Sequence, residues 1–213
     1  MPRLTAANAL VLVVATALGS GAAAAPPAAS GPPIVMPQGA LPAPAGTAPG
    51  AAAPHGCLPG GNGYLRARIR GALDVDIDWH NAELECDGGP RPDGSGIRVS
   101  FAGPKRTDGH RLRLVFGVNA AREGRSARDL PTNLTVIVEG AQRLYTTRGE
   151  DHCTVDSLSE QRLPTPGKKP RRYRVVARGF CVAPASTLNS TEHILVSSFD
   201  FAGSAVYGDD AIR

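Results

Sequence analysis

The run Asp74-Val-Asp-Ile-Asp-Trp-His-Asn-Ala-Glu-Leu-Glu85 puts Asp at its first, third and fifth positions and Glu at its twelfth. That is the oxygen-ligand spacing of a calcium-binding loop, where hard carboxylates must converge on one cation. Asp74, Asp76, Asp78 and Glu85 are therefore the calcium candidates of this chain. Two features oppose the reading. The sixth position, where such a loop turns on glycine, is Trp79. The residues also alternate as a strand, and an extended chain spreads three alternate Asp residues over ~13 Å. A calcium ion draws its ligands in to ~2.4 Å. The expectation is a solvated carboxylate row, with no cofactor and calcium as the one ion to test.

A second group could bind anions. Lys168, Lys169, Arg171, Arg172 and Arg174 cluster around a proline-rich turn. Charge concentrated on a loop suits an anionic envelope polymer, a phospholipid surface or an acidic face of another envelope protein. The whole chain carries only +4, and aromatic residues make up 5% of it. Few stacking platforms are then available, and a nucleic-acid partner is not expected.

Covalent and metal-assisted chemistry have little to stand on. The five histidines, His55, His80, His110, His152 and His193, are scattered singly. No Gly-x-Ser-x-Gly elbow, phosphate loop or His-Glu-x-x-His motif occurs. No catalytic residue is assigned. The expected function is a non-enzymatic binding or structural module, its ligand unspecified. The alternative is an envelope-acting hydrolase whose carboxylates or histidines converge in a β-sandwich cleft. A calcium-dependent module is the further alternative.

The elements that must position these groups are strands. From Leu65 to Trp79 every odd position is apolar or small, and most even positions are charged. A period of two means one buried face and one wet face. Arg66, Arg68 and Arg70 precede Gly71; Asp74, Asp76 and Asp78 follow it. A hairpin with a loop over 71–73 sets Arg70 against Asp74, Arg68 against Asp76 and Arg66 against Asp78. It also sets Leu65 against Trp79. Opposite charges across a ladder favour this register over a slipped one. Such a loop wants a left-handed residue in its last position, which here is Leu73. A single long strand kinked at Gly71 is the competing arrangement.

Further alternating or β-branched runs lie at 97–101, 111–116, 133–139, 143–147, 172–181 and 194–207. Turn sequences separate them: Arg91-Pro-Asp-Gly94, Asp108-Gly109, Glu139-Gly140 and the stretch from Pro164 to Pro170. No segment shows a helical apolar stripe. The pattern predicts an all-β fold, an antiparallel β-sandwich or barrel-like single domain over 57–213.

Four cysteines, Cys57, Cys86, Cys153 and Cys181, suit two disulfides in an exported chain. Hairpins centred near residues 72 and 167 would bring Cys57 to Cys86 and Cys153 to Cys181, each pair stapling the open end of its hairpin.

Residues 1–25 read as a signal peptide, with Arg3, an apolar core over 10–18 and Ala-rich cleavage sites at 22–25. That core is too short to span a bilayer, so no transmembrane segment is expected after cleavage. Residues 26–56 are Ala/Pro/Gly-rich, and no charged residue occurs between Arg3 and Arg66. A disordered linker is expected there. The location implied is the periplasm or the outside of the cell.

Overall fold

The computed structural model describes residues 56–208, apart from 166, 168, 169 and 189. The expected signal peptide and, but for Gly56, the expected linker lie outside the described residues. Eleven strands run in order: β1 (Tyr64–Gly71), β2 (Val75–His80), β3 (Glu85–Pro90), β4 (Gly96–Lys105), β5 (Arg111–Asn119), β6 (Ala127–Glu139), β7 (Arg143–Thr146), β8 (Cys153–Arg162), β9 (Arg171–Cys181), β10 (Ala185–Thr187) and β11 (His193–Tyr207). The only helical turn among the described residues is a 3-10 turn at Asn81–Glu83. The fold is all-β and antiparallel throughout, as the alternation requires.

The first hairpin has the expected register. Leu65 faces Trp79, Arg66 faces Asp78, Ala67 faces Ile77 and Arg68 faces Asp76. Its turn avoids the conflict at Leu73 because the positive φ falls on Gly71, at 117°. Glycine is also required there for space. A Cβ on Gly71 would lie 2.5 Å from the carbonyl oxygen of His193 on β11.

Two long strands organise the closure. β6 divides one edge between β8, along Ala127–Thr132, and β7, along Thr135–Val138. β11 divides one edge between β10, near Ile194, and β9, along Phe199–Tyr207. Since β8 pairs β9 and β7 pairs β10, the network curls back on itself. On their other edges β6 carries β5, β4 and β3, while β11 carries β1 and β2. β3 then returns to β11 without a ladder. Gly88 is the point of closest approach; a Cβ there would sit 2.5 Å from the oxygen of Ser204. The result is a barrel-like sandwich.

Its core is aromatic. Phe101 (β4), Phe116 (β5), Phe199 and Phe201 (β11) meet with ring centroids 4.8–5.0 Å apart for the three closest pairs. Gly203 makes room for Phe101, which a Cβ would strike at 2.6 Å. Trp79 is half-buried rather than fully inward, because β2 is the edge strand of its layer. Its ring reaches across to Gly103 of β4, where any side chain would overlap it.

Both disulfides form, Cys57–Cys86 and Cys153–Cys181. The second joins directly opposed ladder partners of the β8–β9 hairpin. The first arises differently from the hairpin expectation. Cys57 lies outside any strand and Cys86 belongs to β3, which pairs β4. The 3-10 turn after His80 carries the chain out of the β1–β2 ladder, so this bond ties the lead-in to β1 onto the neighbouring strand that closes on β11. Two disulfides indicate an oxidising compartment. No helix among the described residues is long and apolar enough to cross a membrane.

Candidate functional site

The calcium candidates are dispersed among arginines. Asp78 meets Arg66 at 3.0 Å, Asp76 meets Arg70 at 2.7 Å and Arg68 at 3.6 Å, and Asp74 meets Arg70 at 3.3 Å. Glu85 turns away to Arg111 at 2.9 Å. Arg111 holds the Glu85 carboxyl below the usual range, chiefly through that hydrogen bond. Strand geometry explains the dispersal: alternate residues project in parallel and cannot fold around one cation. Among the described residues no group of three or more His, Cys, Asp or Glu side chains comes together as a metal set.

The basic cluster is split by the pleat. Lys168 and Lys169 lie outside the described residues. Arg171 belongs to the inward face of β9 and forms a two-point pair with Glu123, Nε at 2.5 Å and Nη2 at 2.9 Å. Arg172 and Arg174 project outward and form no ion pair among the described residues. Both are half-buried and bury Nε, which finds no hydrogen-bond partner among the described residues, so their stems lie along the sheet.

Outward neighbours that sequence reading missed extend this face. Arg178 of β9 and Arg128 of β6 also form no ion pair among the described residues. The ladders align them in one row across the sheet: Arg128 opposes Ser157, Ser157 opposes Arg178, Arg178 opposes Asp200, and Asp200 opposes Arg66. The next row holds small or half-buried residues, Ser159, Val176, Ala202 and Tyr64. Tyr64 donates to Asp200 Oδ1 at 2.8 Å, and Arg66 lies over the Tyr64 ring at 5.1 Å from its centroid. Beside Arg128 a shallow depression of about 400 Å³ opens over Ser157, Ser159 and Val176. Small hydroxyl side chains between cationic ones leave room and donors for oxyanions. Of the negative groups here, Asp200 is engaged by Tyr64, and Asp156 sits at the β8 bulge. The signal present in the sequence was the period of two in Arg172-x-Arg174-x-Val176-x-Arg178. Arg128 became part of it only through the β6–β8 pairing.

The inward end of β9 builds a different constellation. Glu160 accepts from the Tyr207 hydroxyl at 2.8 Å and from the Gly124 amide at 2.7 Å. Burial, with Glu123 nearby, pushes the Glu160 carboxyl above its ordinary value. Arg171 holds the Glu123 carboxyl below its own. Tyr207 is pushed up strongly, first by burial and then by its bond to Glu160. A cleft of about 340 Å³ opens beside Glu123, Arg171 and Tyr207. Each oxygen of Glu160 and Glu123 already accepts a hydrogen bond, an arrangement that anchors the loop between β5 and β6 across the barrel end. Among the described residues, His80 pairs with Glu83 and His152 lies beside Asp151.

No protein-family model, curated protein or solved structure matches this chain.

Proposed function

We propose that this protein is an exported, non-enzymatic binding module of the bacterial cell envelope that engages anionic polymer or surface groups through the outward face of β9. The carrying observation is a row of arginines without direct ion pairs, in excess over the two carboxylates nearby, Asp200 and Asp156. On β1, β4 and β5 arginines meet carboxylates, as in Arg66–Asp78, Arg98–Asp87 and Arg113–Glu139. Among the described residues, no carboxylate forms an ion pair with the outward arginines of β9, Arg172, Arg174 and Arg178. Planar guanidinium groups recognise carboxylate and phosphate oxygens in two-point fashion, which suits a rigid sheet displaying them in line. Alternate positions on a strand stand ~6.8 Å apart, so the row matches a repeating polyanion better than one small anion. The two disulfides, the Ala-rich leader expected at 1–25 and the linker expected at 26–56 support display outside the cytoplasm.

Titration with inorganic polyphosphate tests this reading. Binding should weaken with salt, and the Arg174→Gln/Arg178→Gln variant should bind several-fold more weakly with a shallower salt slope, by about one unit per contact removed. Equal binding by the variant and the parent would reject the face.

A further inference from the structure

The arginine row does not run the length of β9. Its outward positions read Arg172, Arg174, Val176, Arg178 and Phe180, followed by Val182 just past the strand. Charge gives way to apolar surface in one direction along a single strand. Among the described residues, the exposed large apolar side chains are Phe180, Val182 and Leu188. Two of the three lie at the end of this row, Phe180 at 38% and Val182 at 70% exposure. Phe180 stands two residues from Arg178, or ~7 Å along the strand. It opposes the half-buried Thr154 of β8, so nothing large shields it there.

A soluble polyanion has use for the arginines and none for the apolar end. An anionic lipid surface has use for both. Guanidinium groups meet headgroup phosphates, and apolar side chains beside them enter the headgroup–acyl boundary. The depression beside Arg128, Ser157 and Ser159 is on the same face and is of headgroup size. Exposed Phe and Val at the edge of a cationic face cost solubility unless something covers them.

We infer that the outward face of β9 docks on phosphate-bearing lipid headgroups, with Arg172, Arg174 and Arg178 on the phosphates and Phe180 and Val182 inserted into the interface. This rests on the anion-binding reading above and names its partner.

Co-sedimentation of the full chain with vesicles tests it, using phosphatidylglycerol mixed into phosphatidylcholine against pure phosphatidylcholine. Inorganic polyphosphate serves as the soluble polyanion. The parent protein should bind the mixed vesicles and not the pure ones. Arg174→Gln/Arg178→Gln should weaken vesicle binding by about fivefold per arginine and weaken polyphosphate binding as well. Phe180→Ser/Val182→Ser should weaken vesicle binding about tenfold and leave polyphosphate binding unchanged. Val182→Ser alone, at the more exposed position, gives the same contrast in smaller measure without touching the strand. Full vesicle affinity in both apolar variants would overturn the membrane inference and leave the polyanion reading standing. Failure of the parent to bind either probe would overturn both.

Discussion

Trp79 carries more of the fold than its half-burial suggests, because its ring fills the space over Gly103 and joins the edge strand β2 to β4. Trp79→Ala should destabilise by roughly 2–4 kcal/mol, toward the lower part of the range for fully buried aromatics, as followed by chemical denaturation. Gly103→Ala should cost a similar amount by displacing the ring. The indole also reports on the calcium candidates. Since Asp74, Asp76, Asp78 and Glu85 each face an arginine, millimolar calcium should leave Trp79 emission and the melting temperature unchanged. A calcium-dependent rise in melting temperature that disappears in Asp76→Ala would show instead that these arginines can be displaced. Two glutamates at the barrel end give pH responses of opposite sign. The folded state raises the Glu160 pKa, so it holds that proton more tightly than the unfolded chain does. The associated stability is complete below the ordinary glutamate value and is lost as pH rises through the folded one. Glu160→Gln, which keeps the neutral form, should therefore gain in melting temperature relative to the parent as pH rises toward neutrality. Glu123 is lowered by Arg171, so its contribution is present above the ordinary value and lost as pH falls through the folded one. Glu123→Gln should cost about 1–2 kcal/mol at neutral pH and less in acid.

At the scale of elements, the β1–β2 hairpin was legible because two independent patterns, apolar and charged, agree on one register. Its ion pairs fix register more than stability. Asp76 is 66% exposed, so Asp76→Ala should cost at most ~1 kcal/mol in the same denaturation assay. The runs at 111–116, 133–139 and 172–181 became β5, β6 and β9 because their inward residues alternate cleanly. β3 and β10 were not named from sequence, and β8 was implied only as the first arm of the hairpin centred near residue 167, each for its own reason. β3 contains Asp87-Gly-Gly-Pro90, which has turn composition, yet those glycines are what lets the strand press on the backbone of β11. β8 is polar at most positions and carries a bulge between Val155 and Ser157, which breaks the period. β10 has three residues and exists only because β7 and β11 flank it. The candidate face was half legible. Arg172 and Arg174 were found as members of a loop cluster, whereas the pleat sends Arg171 to Glu123 and brings in Arg178 and Arg128, which are distant from the turn in sequence. Adjacency along a chain groups residues that a strand then separates.

At the scale of the whole molecule, the two disulfides guard different closures. Cys153–Cys181 lies inside a ladder, beside Thr132 of β6, where β8 joins the long strand. Cys57–Cys86 ties a residue outside any ladder to β3, holding β3 and the lead-in to β1 near the outer edge of β11; the Cys57 sulfur is 3.7 Å from the oxygen of Ala202. Their sequence separations, 29 and 28, are nearly equal, so chain entropy alone assigns both bonds roughly 3–4 kcal/mol. What each removal does locally should nevertheless differ. Without Cys57–Cys86, β3 keeps its pairing to β4 but loses the bond that draws it toward β11, and close approach at Gly88 and Gly89 is the main remaining contact. Without Cys153–Cys181, the β8–β9 ladder still closes that side through its remaining backbone pairs. Amide exchange under native conditions separates the two cases. Cys57→Ser/Cys86→Ser should speed exchange in β3 and in residues 57–63 while β8 and β9 stay protected. Cys153→Ser/Cys181→Ser should lower global stability with protection lost evenly, because the ladder still fails only when the whole sheet does. Uniform loss of protection in the first variant would show that β3 closes on β11 by packing alone, with the disulfide adding only to the unfolded-state term.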